Sequence, residues 1–169
     1  MKKQYNARYI QDLTFNLPIE KIDLYKWITR MTDADYKSYS RAHKFMESFT
    51  KDGVFYMTNV ENIGTEKLVQ YYKLVSHAAN RVQLYSAKSK AYIMRWFPVK
   101  VGVPWQFYAQ PVSHTSSRLI CMIGVDYLNP FLRFAAWFTG LGGFFLRKHL
   151  NTEGNAFARD IEKKFTSNS

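Results

Sequence analysis

The spacing of apolar residues changes period twice along the chain. Residues 9–17 alternate, with Tyr9, Leu13, Phe15 and Leu17 on one side and Asp12, Thr14 and Asn16 on the other, which predicts a strand. Pro18 suits the first turn of a helix, and Ile19, Ile22, Tyr25 and Ile28 or Met31 follow at helical spacing. Thr32 with Asp35 three positions on is a capping-box signal for a second helix. The pattern predicts that helix from about Asp33 to Phe49, with Tyr36, Tyr39, His43, Met46 and Phe49 or Phe45 as its inner stripe.

Lys51-Asp52-Gly53 reads as a turn, after which the period becomes two. Strands are predicted at 54–61, 67–75, 81–87, 90–97, 103–112 and 117–127, separated by short breaks, as in an antiparallel meander. In the fifth, Trp105, Phe107 and Ala109 share a face and should be buried, opposite Gln106, Tyr108 and Gln110. The sixth is apolar on both faces and should lie centrally or be covered on both sides. After Asn129-Pro130, residues 131–146 are apolar except for Arg133 and Thr139 and contain Gly140, Gly142 and Gly143. That is too short and too interrupted for a membrane span, and predicts a short helix, a glycine-rich joint and a long helix. The long helix carries the stripe Leu146, Leu150, Phe157, Ile161 and Phe165, and the last four residues should fray.

With 169 residues the chain is expected to form a single domain, 1–169, able to bury a core without disulfides. Cys121 is the only cysteine, which fits a reducing compartment, and the basic start MKKQYNARYIQDL lacks the apolar run of a signal peptide. A cytoplasmic location is expected. Aromatic residues make up 17%, enough to line a cavity as well as fill a core. The net charge of +11 favours anionic partners, but it is scattered in short clusters and argues for a solvated surface over a polyanion groove. Nucleic acid is therefore not expected, although 71–73 and 90–96 mix basic and aromatic residues.

The order strand, two short helices, meander and long closing helix resembles the START-like (SRPBCC) superfamily. The resemblance is carried by TNVENIGTEKLVQYYKL, PWQFYAQP and HLNTEGNAFARDIEKKF. It implies an α+β helix-grip fold, in which a curved antiparallel sheet of about seven strands wraps the C-terminal helix around a hydrophobic cavity. It implies binding of a hydrophobic or aromatic small molecule (lipid, sterol or polyketide-like), by a carrier or a cyclase-like enzyme. No catalytic set carries over, so the candidates come from the residues themselves.

His149 and Glu153, four apart on one helical face, could act as an acid–base pair in a cyclase- or dehydratase-type lyase or isomerase; the alternative is an ordinary helix-supporting pair. Tyr72, Trp96, Trp105, Phe107 and Phe145 are the candidate ligand-binding residues, against the alternative of core packing. His43 falls on the inner stripe of the second helix, where a histidine satisfied by backbone is the default, and His77 and His114 fall in turns. No HxxxH or CxxC spacing is present, so neither a metal nor another cofactor is expected. Arg95, in a strand between Met94 and Trp96, could clamp a carboxylate but fits an outward, ring-stacked guanidinium better. The glycine cluster lacks the lysine of a phosphate loop. A second reading is a peripheral membrane module that meets anionic lipid through residues 131–146 and surface positive charge.

Overall fold

The structure, a computed structural model, describes residues 5–64, 66–93, 95–127, 130–138 and 144–166, without the side chains of residues 5, 6, 135, 137, 138, 144 and 145. Strand β1 (Tyr5–Phe15) leads through one 3-10 turn (Ile19–Lys21) into helices α1 (Leu24–Thr29) and α2 (Asp33–Tyr39). Six strands follow: β2 (His43–Lys51), β3 (Val54–Ile63), β4 (Glu66–Ala78), β5 (Arg81–Ile93), β6 (Phe97–Pro111) and β7 (Ser117–Tyr127). Helices α3 (Pro130–Phe138) and α4 (Phe144–Thr166) complete the chain, and the glycine joint expected between them lies outside the described residues. The strands form one antiparallel sheet in the order β1-β7-β6-β5-β4-β3-β2.

The predicted capping box is present. Thr32 accepts from the Asp35 amide at 3.1 Å, and Asp35 accepts from the Thr32 amide at 3.0 Å. The helix it starts is much shorter than expected: it ends at Tyr39, and residues 43–51 form an edge strand instead of a helical continuation. The error has a local cause. A bulge between His43 and Phe45 shifts the register, so the two buried residues of that segment, His43 and Met46, are three apart and imitate a helical stripe. Asp52 and Gly53, both at positive φ (50° and 73°), make the tight turn that an Asp-Gly pair favours between two strands.

A second bulge, between Ser86 and Ser89, makes the predicted strands 81–87 and 90–97 one strand, β5. The expected count of seven strands holds because these two differences offset each other. Trp105, Phe107 and Ala109 face the core as expected, and β7 is paired on both sides, by β1 and β6.

The concave face of the sheet is closed by α4. Its buried stripe runs Leu146, Leu150, Glu153, Phe157 and Ile161. Gly154 lets the helix approach β1, since a Cβ there would lie 2.0 Å from Gln11 Oε1. Asp160 ties the short helices to the long one, accepting from Trp27 Nε1 (2.8 Å) and Tyr39 OH (2.7 Å) and pairing with Lys164 (3.0 Å). Beneath it, Phe157 meets Trp27, Tyr39, Trp105 and Phe107 at ring-centroid distances of 5.0–5.8 Å, so this half of the interior is filled by aromatic packing.

Candidate functional site

Two pairs of residues, one along a helix and one across two strands, meet between helix and sheet. On α4, His149 and Glu153 are one turn apart and share the inner face. Across the β2–β3 ladder, His43 lies directly opposite Glu61. All four side chains are buried, His149 being 7% and Glu153 1% exposed. Both histidines present Nε2 to the same oxygen: His43 contacts Glu153 Oε1, and His149 lies 2.8 Å from it. His149 Nε2 is also 3.3 Å from Glu61 Oε2. Tyr36 holds the sheet-side pair from behind. Its carbonyl lies 2.5 Å from His43 Nδ1, its hydroxyl donates to Glu61 Oε1, and its ring stacks on the imidazole at 3.8 Å.

Burial by itself disfavours charge on the two imidazoles, but Glu153 and Glu61 outweigh it and hold both histidines above their ordinary range. Burial likewise opposes charge on Glu153, and His149 and His43 overcome it, holding that carboxyl low. The Tyr36 hydroxyl is pushed well up by burial and by the two carboxylates. Such a set can move a proton or gather a cation, because carboxylates and imidazoles are general acid–base groups and metal ligands alike.

Beyond this cluster, towards one end of the sheet, lies a cavity of about 60 Å³. Strand residues such as Ile63, Leu68 and Val101 form its floor, Leu132 and Ala136 of α3 cover it, and Leu146 forms the helix-side wall. Leu146 precedes His149 by three residues and Ile63 follows Glu61 by two on the same buried face, so cavity and cluster are neighbours along both elements.

The lining carries one carboxyl, Glu66, whose pKa burial raises to about 7 from an ordinary 4.5. Because the folded state favours the neutral acid, Glu66 makes no difference to stability below about pH 4.5; stability then falls as pH rises towards 7 and stays at its lower value above. In urea unfolding across this range, Glu66→Gln is expected to show a flatter decline than the parent chain. Identical slopes would remove Glu66 as the source.

Towards the filled half, the concave face turns polar. Asn59 and Gln70 are register partners on β3 and β4, fully buried, and neither side chain has a hydrogen-bond partner among the described residues.

The sequence-predicted residues separate accordingly. His149 and Glu153 face the interior. Tyr72, Trp105 and Phe107 are buried on the concave face but pack behind the cavity rather than lining it. Trp96 is 82% exposed at the β5–β6 hairpin, a correction to its placement in the interior, and the Phe145 side chain lies outside the described residues. Arg95 is in that hairpin turn at φ 67°, not in a strand. His77 belongs to β4, where it stacks on Tyr25.

His43 does reach a backbone carbonyl as expected, but its other nitrogen joins the cluster, from a strand rather than a helix. Glu61 was missed altogether. Its only sequence signal is its place in phase with Phe55, Met57 and Ile63 on the buried face of β3.

No protein-family model and no curated protein sequence matches the chain. Solved structures do. A norcoclaurine synthase point mutant from Thalictrum flavum, in complex with a transition-state analogue, superposes with a TM-score of 0.65 at 10% identity, covering 97% of this chain and 99% of that one. The ZhuI aromatase/cyclase of a Streptomyces species gives 0.64 at 8% identity, over 95% and 96%. Major latex-like protein 151 of Panax ginseng gives 0.57 at 7% identity, over 92% and 97%. The chain has the α+β helix-grip fold, an architecture that these neighbours share.

Proposed function

We propose that the chain binds a hydrophobic aromatic small molecule bearing hydroxyl or carbonyl groups between α4 and the concave face of the sheet. The observation that carries this reading is the buried polar shelf of Asn59 and Gln70. Unpartnered groups of this kind cost about 1–3 kcal/mol each, which a ligand's polar substituents would offset. The apolar cavity, whose lining begins at Leu68 two residues before Gln70 on the same face of β4, would take the ligand's hydrocarbon part. The cyclase and synthase named among the structural neighbours support an aromatic ligand class. As an enzyme the chain would work at the His43–Glu61–His149–Glu153 cluster, with His149 and Glu153 transferring protons as in a cyclase or dehydratase.

Dihydroxynaphthalene, a sterol and a fatty acid serve as probes. The hydroxylated aromatic is expected to quench tryptophan fluorescence and raise the melting temperature more than the other two. An absence of response to all three would sink the binding reading. For the enzyme, His149→Ala should abolish turnover with little change in binding, and unchanged turnover would remove His149 from the mechanism.

A second reading has an observation of its own. Phe131 and Phe134 on α3 are 75% and 61% exposed, and Trp96 and Phe97 project at the hairpin whose flanking Ile93 and Val99 line the same cavity. Among the described residues no helix is long and apolar enough to cross a membrane, so contact with anionic lipid would be peripheral. Salt-sensitive pelleting with anionic vesicles is the expected result; no pelleting would rule this reading out.

A further inference from the structure

We propose that His43, Glu61, His149 and Glu153 form a binding site for one divalent transition-metal ion of the zinc class. The proposal deepens the reading above, resting on the same site and naming the ion it holds.

Four donor atoms, two imidazole nitrogens and two carboxylate oxygens, lie within 4.8 Å of one another. Bond lengths of about 2.0–2.2 Å around a tetrahedral zinc put neighbouring donors roughly 3.3–3.6 Å apart, so shifts of about an ångström, outward for the close pairs and inward for the distant ones, would seat all four. The separation of 3.3 Å between His149 Nε2 and Glu61 Oε2 already matches that spacing, and the 2.8 Å between His149 Nε2 and Glu153 Oε1 is shorter than it.

The direction of approach is a second, independent observation. His149 Nε2 is 2.8 Å from Glu153 Oε1, yet it makes no hydrogen bond, and neither do Glu61 Oε2 and Glu153 Oε2. Two of these buried atoms, His149 Nε2 and Glu61 Oε2, thus face each other at 3.3 Å without an aligned proton between them. Lone pairs directed at a common central point give this arrangement at His149 and Glu61, while His43 holds a hydrogen bond to Glu153 Oε1 that a bound ion would replace.

Charge agrees with the geometry. Two carboxylates and two neutral imidazoles sum to −2, which a divalent cation offsets without burying an imidazolium. The surroundings agree as well: Tyr36 takes the far nitrogen of His43 on its carbonyl and fixes Glu61 with its hydroxyl, the orienting role that partners of metal ligands play. The donor set also selects the metal, since imidazole with carboxylate suits zinc, iron or manganese, whereas calcium and magnesium prefer all-oxygen sites.

The test uses the full chain after chelator treatment, titrated with zinc and, separately, with cobalt as a spectroscopic substitute. One zinc per chain is expected, with a melting temperature roughly 5–10 °C higher when free zinc is about a hundredfold above Kd. Cobalt should give the visible absorption of a four-coordinate site. Glu153→Gln should weaken zinc binding by more than about a hundredfold, and Tyr36→Phe, which touches no metal, by about 10–100-fold.

His77→Gln, away from the cluster, should bind like the parent. Circular dichroism establishes that each variant is folded, and the cobalt spectrum of the unaltered chain tests the site even where a variant is not. No thermal shift with zinc together with no cobalt absorption would overturn the proposal, as would equal zinc affinity in folded Glu153→Gln. Because no organic probe is present, that failure would leave the cavity reading standing, and silence from every organic probe would leave the metal result intact.

Discussion

Phe157→Ala is expected to lower stability by about 3–5 kcal/mol, the range for truncating a fully buried aromatic side chain. Phe157 contacts four rings from three directions: Trp27 of α1, Tyr39 of α2, and Trp105 and Phe107 of β6. Those rings are anchored elsewhere, Trp27 and Tyr39 by their bonds to Asp160, so they cannot easily collapse into the space left behind. Chemical denaturation with a shared slope for parent and variant measures the loss. A change under about 1 kcal/mol would mean that the aromatic cluster repacks, contrary to the close packing described.

Glu153→Ala, compared with the parent in chelator-treated protein, should cost a similar amount, about 3–5 kcal/mol, for a different reason. Glu153 is the carboxylate that both imidazoles meet, and its removal leaves two buried histidines facing only Glu61. The expected loss is therefore mostly the cost of uncompensated buried charge rather than of lost packing. Glu153→Gln, which keeps the shape and one acceptor oxygen, should cost less. If Ala and Gln prove equally harmless under denaturant, the cluster contributes nothing to folding and its electrostatic description is wrong.

Much of the fold was legible because local patterns and tertiary burial agree. The period-two segments from Val54 onward, the Thr32–Asp35 capping box, the Asp52-Gly53 turn and the α4 stripe all express constraints within a few residues of each other. Where the reading failed, a bulge had broken the period: at His43 and Phe45 it turned a strand into an apparent helix, and at Ser86 and Ser89 it split one strand into two. Glu153 could have been placed inside from its position between Leu150 and Phe157 in the stripe. The spacing test that argued against a metal looks for ligands close together in sequence, and it does not reach a cluster supplied by β2, β3 and α4.

The sequence by itself determined the α+β architecture, the buried faces of β6 and α4, and the pairing of His149 with Glu153 on one helical face, because helix and strand periods are short-range properties. It did not determine that Glu61 and His43 meet that pair, that Tyr36 stands behind them, or that Trp96 points away. Those depend on how the β2–β3 edge of the sheet curls against the helix, a contact that brings together His43 and Glu153, which are 110 positions apart in the chain. Only the tertiary structure sets that contact, since the burial that stabilises it depends on the whole curved sheet and its closing helix together.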